Sequence, residues 1–349
     1  MKILFDIVHP ADVLFFLKPM RLMTDRGDTI KIVSRQKDVA CELLDQFGLA
    51  HESISIAGNG RMGLAKELIM RDWAMMKAAR KFRPDVMLGF GGVAISHVGK
   101  LVGIPSVSFY AADTASLQTR ITWPFIDHLY VPQAYAGDVP RGRTSRFPGI
   151  KELSYFHPEN FEVNDDIARG NGWDEQVPNY FIRTVSWRAN HDLGKSGWSD
   201  ETLRRLVVKL SARGKVHISS ERSLPPEMEQ YRYQGAKSQL HHVMAKCELY
   251  VGESATMAHE ACLLGVPSIY DGTDHPGTTR ELAREGLLIA LKQPGLEPLL
   301  AEIDALLKDG VKQAVDAKRM AYLAARPNLA QFIVDAADRH ALTGGGSAR

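Results

Sequence analysis

Cysteine is scarce here, and what there is follows no pattern. Cys41, Cys247 and Cys262 are the only three in 349 residues. Their spacing offers neither a zinc-ligand set nor a disulfide framework, so metal binding is not expected and a reducing, cytoplasmic setting is. Long apolar runs are missing too: none reaches the roughly 18 residues that a membrane span needs. The N-terminal "MKILFDIVHP" has only a short apolar run and no small-residue cleavage site, so it does not read as a secretory signal. Charge of one sign is not in excess. A formal net charge of +2 argues against nucleic acid as a partner.

What is present is an alternation. Apolar residues make up 45% of the chain, enough for two ordinary cores. Short apolar runs ("KILFDIV", "TIKIVSR", "HESISIA", "PDVMLGFGG", "PSVSFY", "DHLYVPQ") alternate with amphipathic, helix-like stretches up to about residue 133. The pattern restarts at "NYFIRTVSW" and continues through "KVHISSE", "ELYVG", "PSIYDG" and "LLIAL". Strands alternating with helices imply parallel sheets covered on both faces. The stretch from Tyr135 to Pro178, rich in Gly, Pro and charge, reads as the connection. The expected architecture is α/β, with two facing Rossmann-like domains and an interdomain cleft. They span 1–160 and 161–349, the final helices from about Leu296 crossing back to the first domain. Ligands in such sheets sit beyond the carboxyl ends of the strands.

Those carboxyl ends carry the candidate chemistry. In "VGESATMAHEACLLGVPSIY" a strand turns into a helix through Gly252, Glu253, Ser254, Ala255 and Thr256. Small residues let backbone N–H groups approach a ligand, and a helix start favours an anion such as a diphosphate. Glu260, four residues after Thr256 and on the same helical face, suits a ribose diol. A plain capped turn with a surface glutamate is the alternative. "IRTVSWRANHD" offers Ser186, Arg188 and Asn190, with Arg188 able to clamp a phosphate or to be a surface arginine beside Trp187. Glu221 in "ISSERSLP" and His241 in "QLHHVM" are further candidates to line a nucleotide pocket.

In the first half, "DIVHPADVLFF" puts His9 and Asp12 after the first strand. Asp12 is a candidate general base or a helix cap, with His9 and Asp113 as other candidate bases. Gly91, Gly92 and Ser96 in "GFGGVAISHVGK" mark an acceptor-side turn, or a tight turn alone. Residues 61–83 carry Arg61, Lys66, Arg71, Lys77, Arg80, Lys81 and Arg83 among apolar residues. Such a basic amphipathic helix is either a peripheral membrane contact or an ordinary helix with a solvated basic face.

Two Rossmann-like halves with the loop "SATMAHEACLLGVP" resemble GT-B glycosyltransferases. The spacing from Thr256 to Glu260 to Gly265-Val266-Pro267 is similar to that of the peptidoglycan N-acetylglucosaminyltransferase, whose equivalent glutamate binds the ribose of UDP. The same segment resembles the UDP-N-acetylglucosamine 2-epimerases. The blocks "DIVHPADVLFFLKP", "FPGIKELSYFHP", "VSWRANHD" and "GESATMAHEA" resemble an uncharacterised archaeal and bacterial family near these enzymes. The resemblance implies a glycosyltransferase that moves a sugar from a UDP-type donor to a hydroxyl, on a glycan or lipid-linked acceptor, in surface polysaccharide or glycolipid assembly. It implies that a histidine of the peptidoglycan enzyme corresponds to Asp12, and that Ser186 replaces a histidine of the epimerases. That loss counts against epimerisation, which needs matched acid and base groups. A UDP-sugar 2-epimerase and a non-catalytic nucleotide-sugar-binding protein are the alternatives. With helix N-termini and Arg188 to stabilise the leaving diphosphate, no metal or other cofactor is required. The expected location is cytoplasmic, at the inner membrane face if residues 61–83 lie on lipid.

Overall fold

The computed structural model describes residues 1–36, 39–56, 58, 60–113, 116–186 and 197–344. They form two compact units, one within residues 1–160 with 327–344, the other within residues 161–326.

Unit 1 runs β1 (Lys2–Ile7), α1 (Pro10–Asp25), β2 (Thr29–Gln36), α2 (Ala40–Gln46), β3 (His51–Ile56), α3 (Gly60–Phe82), β4 (Val86–Phe90), α4 (Val93–Val102), β5 (Ser106–Phe109), α5 (Ser116–Thr122), β6 (His128–Pro132), β7 (Thr144–Phe147) and α6 (Leu153–Phe156). Its seven strands pair in parallel in the order β3-β2-β1-β4-β5-β6-β7. Successive strand residues face opposite sides of a sheet, and β1 shows the consequence. Leu4 joins Met75 of α3 and Val98 of α4 in one core. Phe5 meets Phe16 of α1 at 5.3 Å, in an aromatic layer that continues through Phe109 and Tyr130. Strand β7 lies inside the stretch that sequence assigns to the connection. Its "TSRF" buries only Phe147, too little for a periodic signal to show.

Unit 2 runs α7 (Asp165–Gly170), β8 (Asn179–Thr184), α8 (Asp200–Ser211), β9 (Lys215–Ser220), α9 (Leu240–Met244), β10 (Leu249–Gly252), α10 (Ala255–Leu263), β11 (Ser268–Asp271), α11 (Gly277–Arg284), β12 (Ile289–Leu291), α12 (Leu296–Leu306) and α13 (Val311–Ala324). Its five strands are parallel in the order β12-β11-β10-β8-β9. Helix α8 begins on a Ser199 cap and buries Leu203, Leu206, Val207 and Leu210 against Ile182, Ile218 and Val251. Helices α12 and α13 stay with this unit. Leu299 and Ile303 enter its core, and the Tyr322 hydroxyl donates to Glu281 at 2.9 Å. The point of return is therefore Pro327 rather than Leu296. Only the last helix, α14 (Leu329–Gly344), goes back to unit 1. There Phe332 sits edge-on to Tyr130 at 5.3 Å, and Arg26, the C-cap of α1, makes a forked pair with Asp338.

The seat of α14 is expected to be acid-sensitive. The His128 and His340 rings lie 4.6 Å apart, and His340 Nε2 meets the Tyr130 hydroxyl at 3.1 Å. Burial first, then the neighbouring His340 and Arg339, pushes His128 down to about 4. Burial and Arg339 also lower His340. Both groups fold as neutral rings, whereas the unfolded chain titrates them at about 6.5. Their contribution is complete above that value and is lost as pH falls toward the folded pKa. After allowance for solvent, His128 is worth on the order of 1–2 kcal/mol. Melting temperature is expected to drop between pH 7 and pH 4.5, and the drop to shrink in His128→Gln; equal drops would refute the assignment.

Candidate functional site

In doubly wound sheets, ligands bind at the carboxyl ends of the strands, where the strand order reverses direction. In unit 1 that point lies between β1 and β4, and in unit 2 between β8 and β10. Most of the candidate residues lie after these four strands.

After β1, His9 is the N-cap of α1, its Nδ1 accepting from the Ala11 amide at 3.2 Å. Asp12 closes the box from the other side: its Oδ2 accepts from the Val8 amide at 3.0 Å and the His9 amide at 2.9 Å. Asp12 is thus a cap, and the two amides hold its carboxyl in one pose. Burial, the largest influence, raises its carboxyl to about 7. The two amides and Lys151 pull the other way, and Asp6 adds to the rise. A carboxyl that titrates near neutrality is suited to take a proton. Asp6, at the end of β1, is itself buried and pairs with the Arg71 guanidinium of α3. Arg71 also donates to Ser55 Oγ at 2.6 Å. Burial nonetheless raises the Asp6 pKa, Arg71 offsetting only part of it.

After β4, Gly91 and Gly92 have φ of 79° and 58°, a region that disfavours side chains. A Cβ on Gly91 would strike Gln118 Nε2 at 2.1 Å, and one on Gly92 would crowd Ile95 and Ser108. These glycines admit the chain's own side chains, the tight-turn reading. Ser96 is fully buried and donates to Val93 O at 2.7 Å, within α4. Asp113 follows β5, where its charge helps to raise the pKa values of Tyr110 and Tyr135, though burial dominates both.

In unit 2 the turn after β10 has the expected form. Gly252 has no room for a side chain, since a Cβ would lie 2.8 Å from Arg183 Cβ on neighbouring β8. Ser254 caps α10, its Oγ accepting from Met257 N at 3.4 Å. Ala255 and Thr256 form the first turn, whose amides an α-helix does not satisfy internally; both are partly exposed. Such a helix start can hold a phosphate.

Glu260 is not the surface glutamate of the capped-turn alternative. It is buried, with Oε2 3.1 Å from His241 Nε2 of α9. Glu221 lies at the end of β9 and gathers the end of β8: it accepts from Arg183 and, at 3.2 Å, from the Ser186 amide. Ser186 and Glu221 are therefore together, as are His241 and Glu260. Arg188, with Trp187 and Asn190, lies outside the described residues.

Two further carboxylates act through partners that local spacing does not reveal. Glu253 is buried and accepts from the Val185 amide at 3.2 Å and the Trp198 amide at 2.6 Å. It fixes the end of β8 beside the α10 start. Asp271, the last residue of β11, accepts from Trp198 Nε1 at 2.8 Å and the Gln293 amide at 2.7 Å. Among the described residues, no group of three His, Cys, Asp or Glu is placed to hold a metal ion, and no helix is long and apolar enough to cross a membrane.

A family model described as "Protein of unknown function (DUF354)" matches residues 1–278. No curated protein matches the chain in sequence. Among solved structures, the UDP-GlcNAc 2-epimerase from Neisseria meningitidis bound to UDP-GlcNAc is similar, with a TM-score of 0.66 at 13% identity, over 96% of this chain and 99% of that one. The spinosyn rhamnosyltransferase SpnG complexed with thymidine diphosphate gives 0.65 at 16%, over 95% and 99%. The glycotransferase of kitacinnamycin gives 0.66 at 12%, over 97% and 98%. At these identities the likeness shows the fold, that of the GT-B enzymes and the related epimerases.

Proposed function

We propose that this chain, which belongs to the DUF354 family, is a GT-B glycosyltransferase that takes a sugar from a UDP-type donor and passes it to a hydroxyl acceptor. One observation carries the reading. The anion-ready start of α10 follows β10 and the buried carboxyl of Asp12 follows β1, each at the reversal point of its own sheet.

In this reading unit 2 holds the donor. The diphosphate lies on the first turn of α10, at Ser254, Ala255 and Thr256, and Arg188 is assigned a phosphate contact. Glu260, oriented by His241, takes the ribose, and Ser186 and Glu221 line the same pocket. In unit 1, Asp12 accepts the proton of the attacking hydroxyl. The acceptor oxygen bonds to the anomeric carbon as the bond from that carbon to the diphosphate breaks. The departing charge is met by helix-start amides, already oriented and so needing no rearrangement. His9 orients the α1 entry, and Asp113 is the second candidate base. The acceptor class is a glycan or lipid-linked hydroxyl, which fits surface polysaccharide or glycolipid assembly.

Calorimetric titration with UDP, thymidine diphosphate and their sugars tests the donor site. UDP is expected to bind, and Glu260→Ala to weaken it by about tenfold or more, since a lost diol contact leaves buried polar groups unpaired. Equal binding by the variant would remove Glu260 from the site. Incubation with UDP-N-acetylglucosamine alone separates the epimerase reading: a 2-epimer formed without acceptor would replace transfer by epimerisation.

A further inference from the structure

Helix α3 buries one side and leaves a second apolar stripe uncovered. Its inner side is clear: Met75, Ala78 and Ala79 enter the core, and Arg71 is buried on Asp6. Arg71 therefore does not belong to a solvated basic face. The outer side carries Met62, Ile69, Met70 and Trp73, with 88%, 70%, 54% and 51% of their surfaces exposed. At about 3.6 residues per turn, Met62, Ile69 and Trp73 fall on nearly one line, with Met70 beside them. An ordinary solvated helix puts charge on that face. Four large apolar side chains together on one helix, rather than scattered singly, mark an interaction site.

The charges around the stripe identify its partner. Lys66, Lys77, Arg80 and Lys81 are exposed on the same side. Lys77 Nζ lies 3.3 Å from the Trp73 ring centroid, so a cation sits at the stripe itself. The two acids of the helix are engaged elsewhere. Glu67 is paired with Arg35 of β2 at 2.5 Å, and Asp72 with His97 of α4 at 2.7 Å. The outer face is thus apolar and cationic. We infer that the outer face of α3 docks unit 1 on an anionic phospholipid surface, with Met62, Ile69, Met70 and Trp73 in the headgroup–acyl boundary and Lys66, Lys77, Arg80 and Lys81 on lipid phosphates. Apolar burial supplies affinity for any bilayer, and the cations select the anionic one. The inference stands on α3 alone and does not depend on the donor site.

The test is sedimentation of the full chain with vesicles of phosphatidylcholine alone or mixed with phosphatidylglycerol. Binding is expected to the mixed vesicles, to weaken in high salt, and to fall by about tenfold or more in both Ile69→Glu/Trp73→Glu and Lys66→Glu/Lys77→Glu. These side chains are exposed, so both variants are expected to keep the wild-type melting temperature and UDP titration; that control separates loss of docking from loss of fold or donor site. No binding, equal binding to both vesicles, or binding retained in both variants would overturn the inference. So would a wild-type dimer that Ile69→Glu/Trp73→Glu converts to monomer, since the stripe would then pair two copies of this chain.

Discussion

Asp12→Asn is expected to slow sugar transfer by about 10²–10⁴-fold, the usual range for a lost general base, while UDP binding is unchanged. The substitution is conservative where the fold needs it. An amide oxygen still accepts from the Val8 and His9 amides, as Asp12 Oδ2 does at 3.0 and 2.9 Å. What it removes is the proton acceptor. The wild-type rate should rise as pH climbs through about 7, where burial has placed the Asp12 carboxyl, and then level off. Stability should move the other way. The folded pKa is raised above the unfolded value of about 3.9, so the contribution is fully present below that value and is lost as pH rises through 7. Asp12→Asn does not ionise, and at pH 8 it should melt above the wild type. A more stable, inactive, donor-binding variant is a combination that a purely structural cap would not produce. Substantial activity in Asp12→Asn would pass the role to Asp113 or His9.

Arg71→Met is expected to be the most damaging single change to stability in unit 1. Arg71 and Asp6 are both almost entirely buried, and removing one partner strands the other charge, at a cost of about 3–5 kcal/mol. For a chain of this size that corresponds to a melting temperature lower by about 10 °C or somewhat less. The pH dependence identifies the cause. Asp6 already titrates above its ordinary value because of burial, and without Arg71 it would do so further. The deficit should be greatest at neutral and alkaline pH and shrink as pH falls, when Asp6 takes up a proton and the charge disappears. Asp6→Asn added to Arg71→Met should recover most of the loss. A deficit that did not change with pH would point to lost packing of the arginine stem instead.

Much of this was legible residue by residue. Apolar runs alternating with amphipathic stretches mark both sheets, because strand and helix periodicities are local properties of the chain. The turns at Gly91-Gly92 and Gly252 to Thr256 are readable for the same reason, as is the cap position of Asp12: the contacts that define them span a few residues. Less legible were elements with little apolar content, such as β7, and side chains whose partners are remote. Spacing puts Glu260 on the face of Thr256, but not His241, which comes from α9, 19 residues earlier. Arg71 looks like one more cation on a basic helix until β1 brings Asp6 to it from 65 residues away. Glu253 sits in plain view in the motif, yet its task of holding Val185 and Trp198 exists only once β8 and β10 are neighbours.

By itself, then, the sequence determined two parallel α/β layers of alternating elements, the turns that end their strands, and the helix starts at which an anion or a proton acceptor can stand. Those follow from backbone propensity and periodicity within a few residues. Only the tertiary structure decided where each sheet reverses, which carboxyls are buried, and which face of α3 stays uncovered. Those depend on strand order and burial, which bring together groups far apart in the chain, and a side chain's pKa and partners are set by what surrounds it in space.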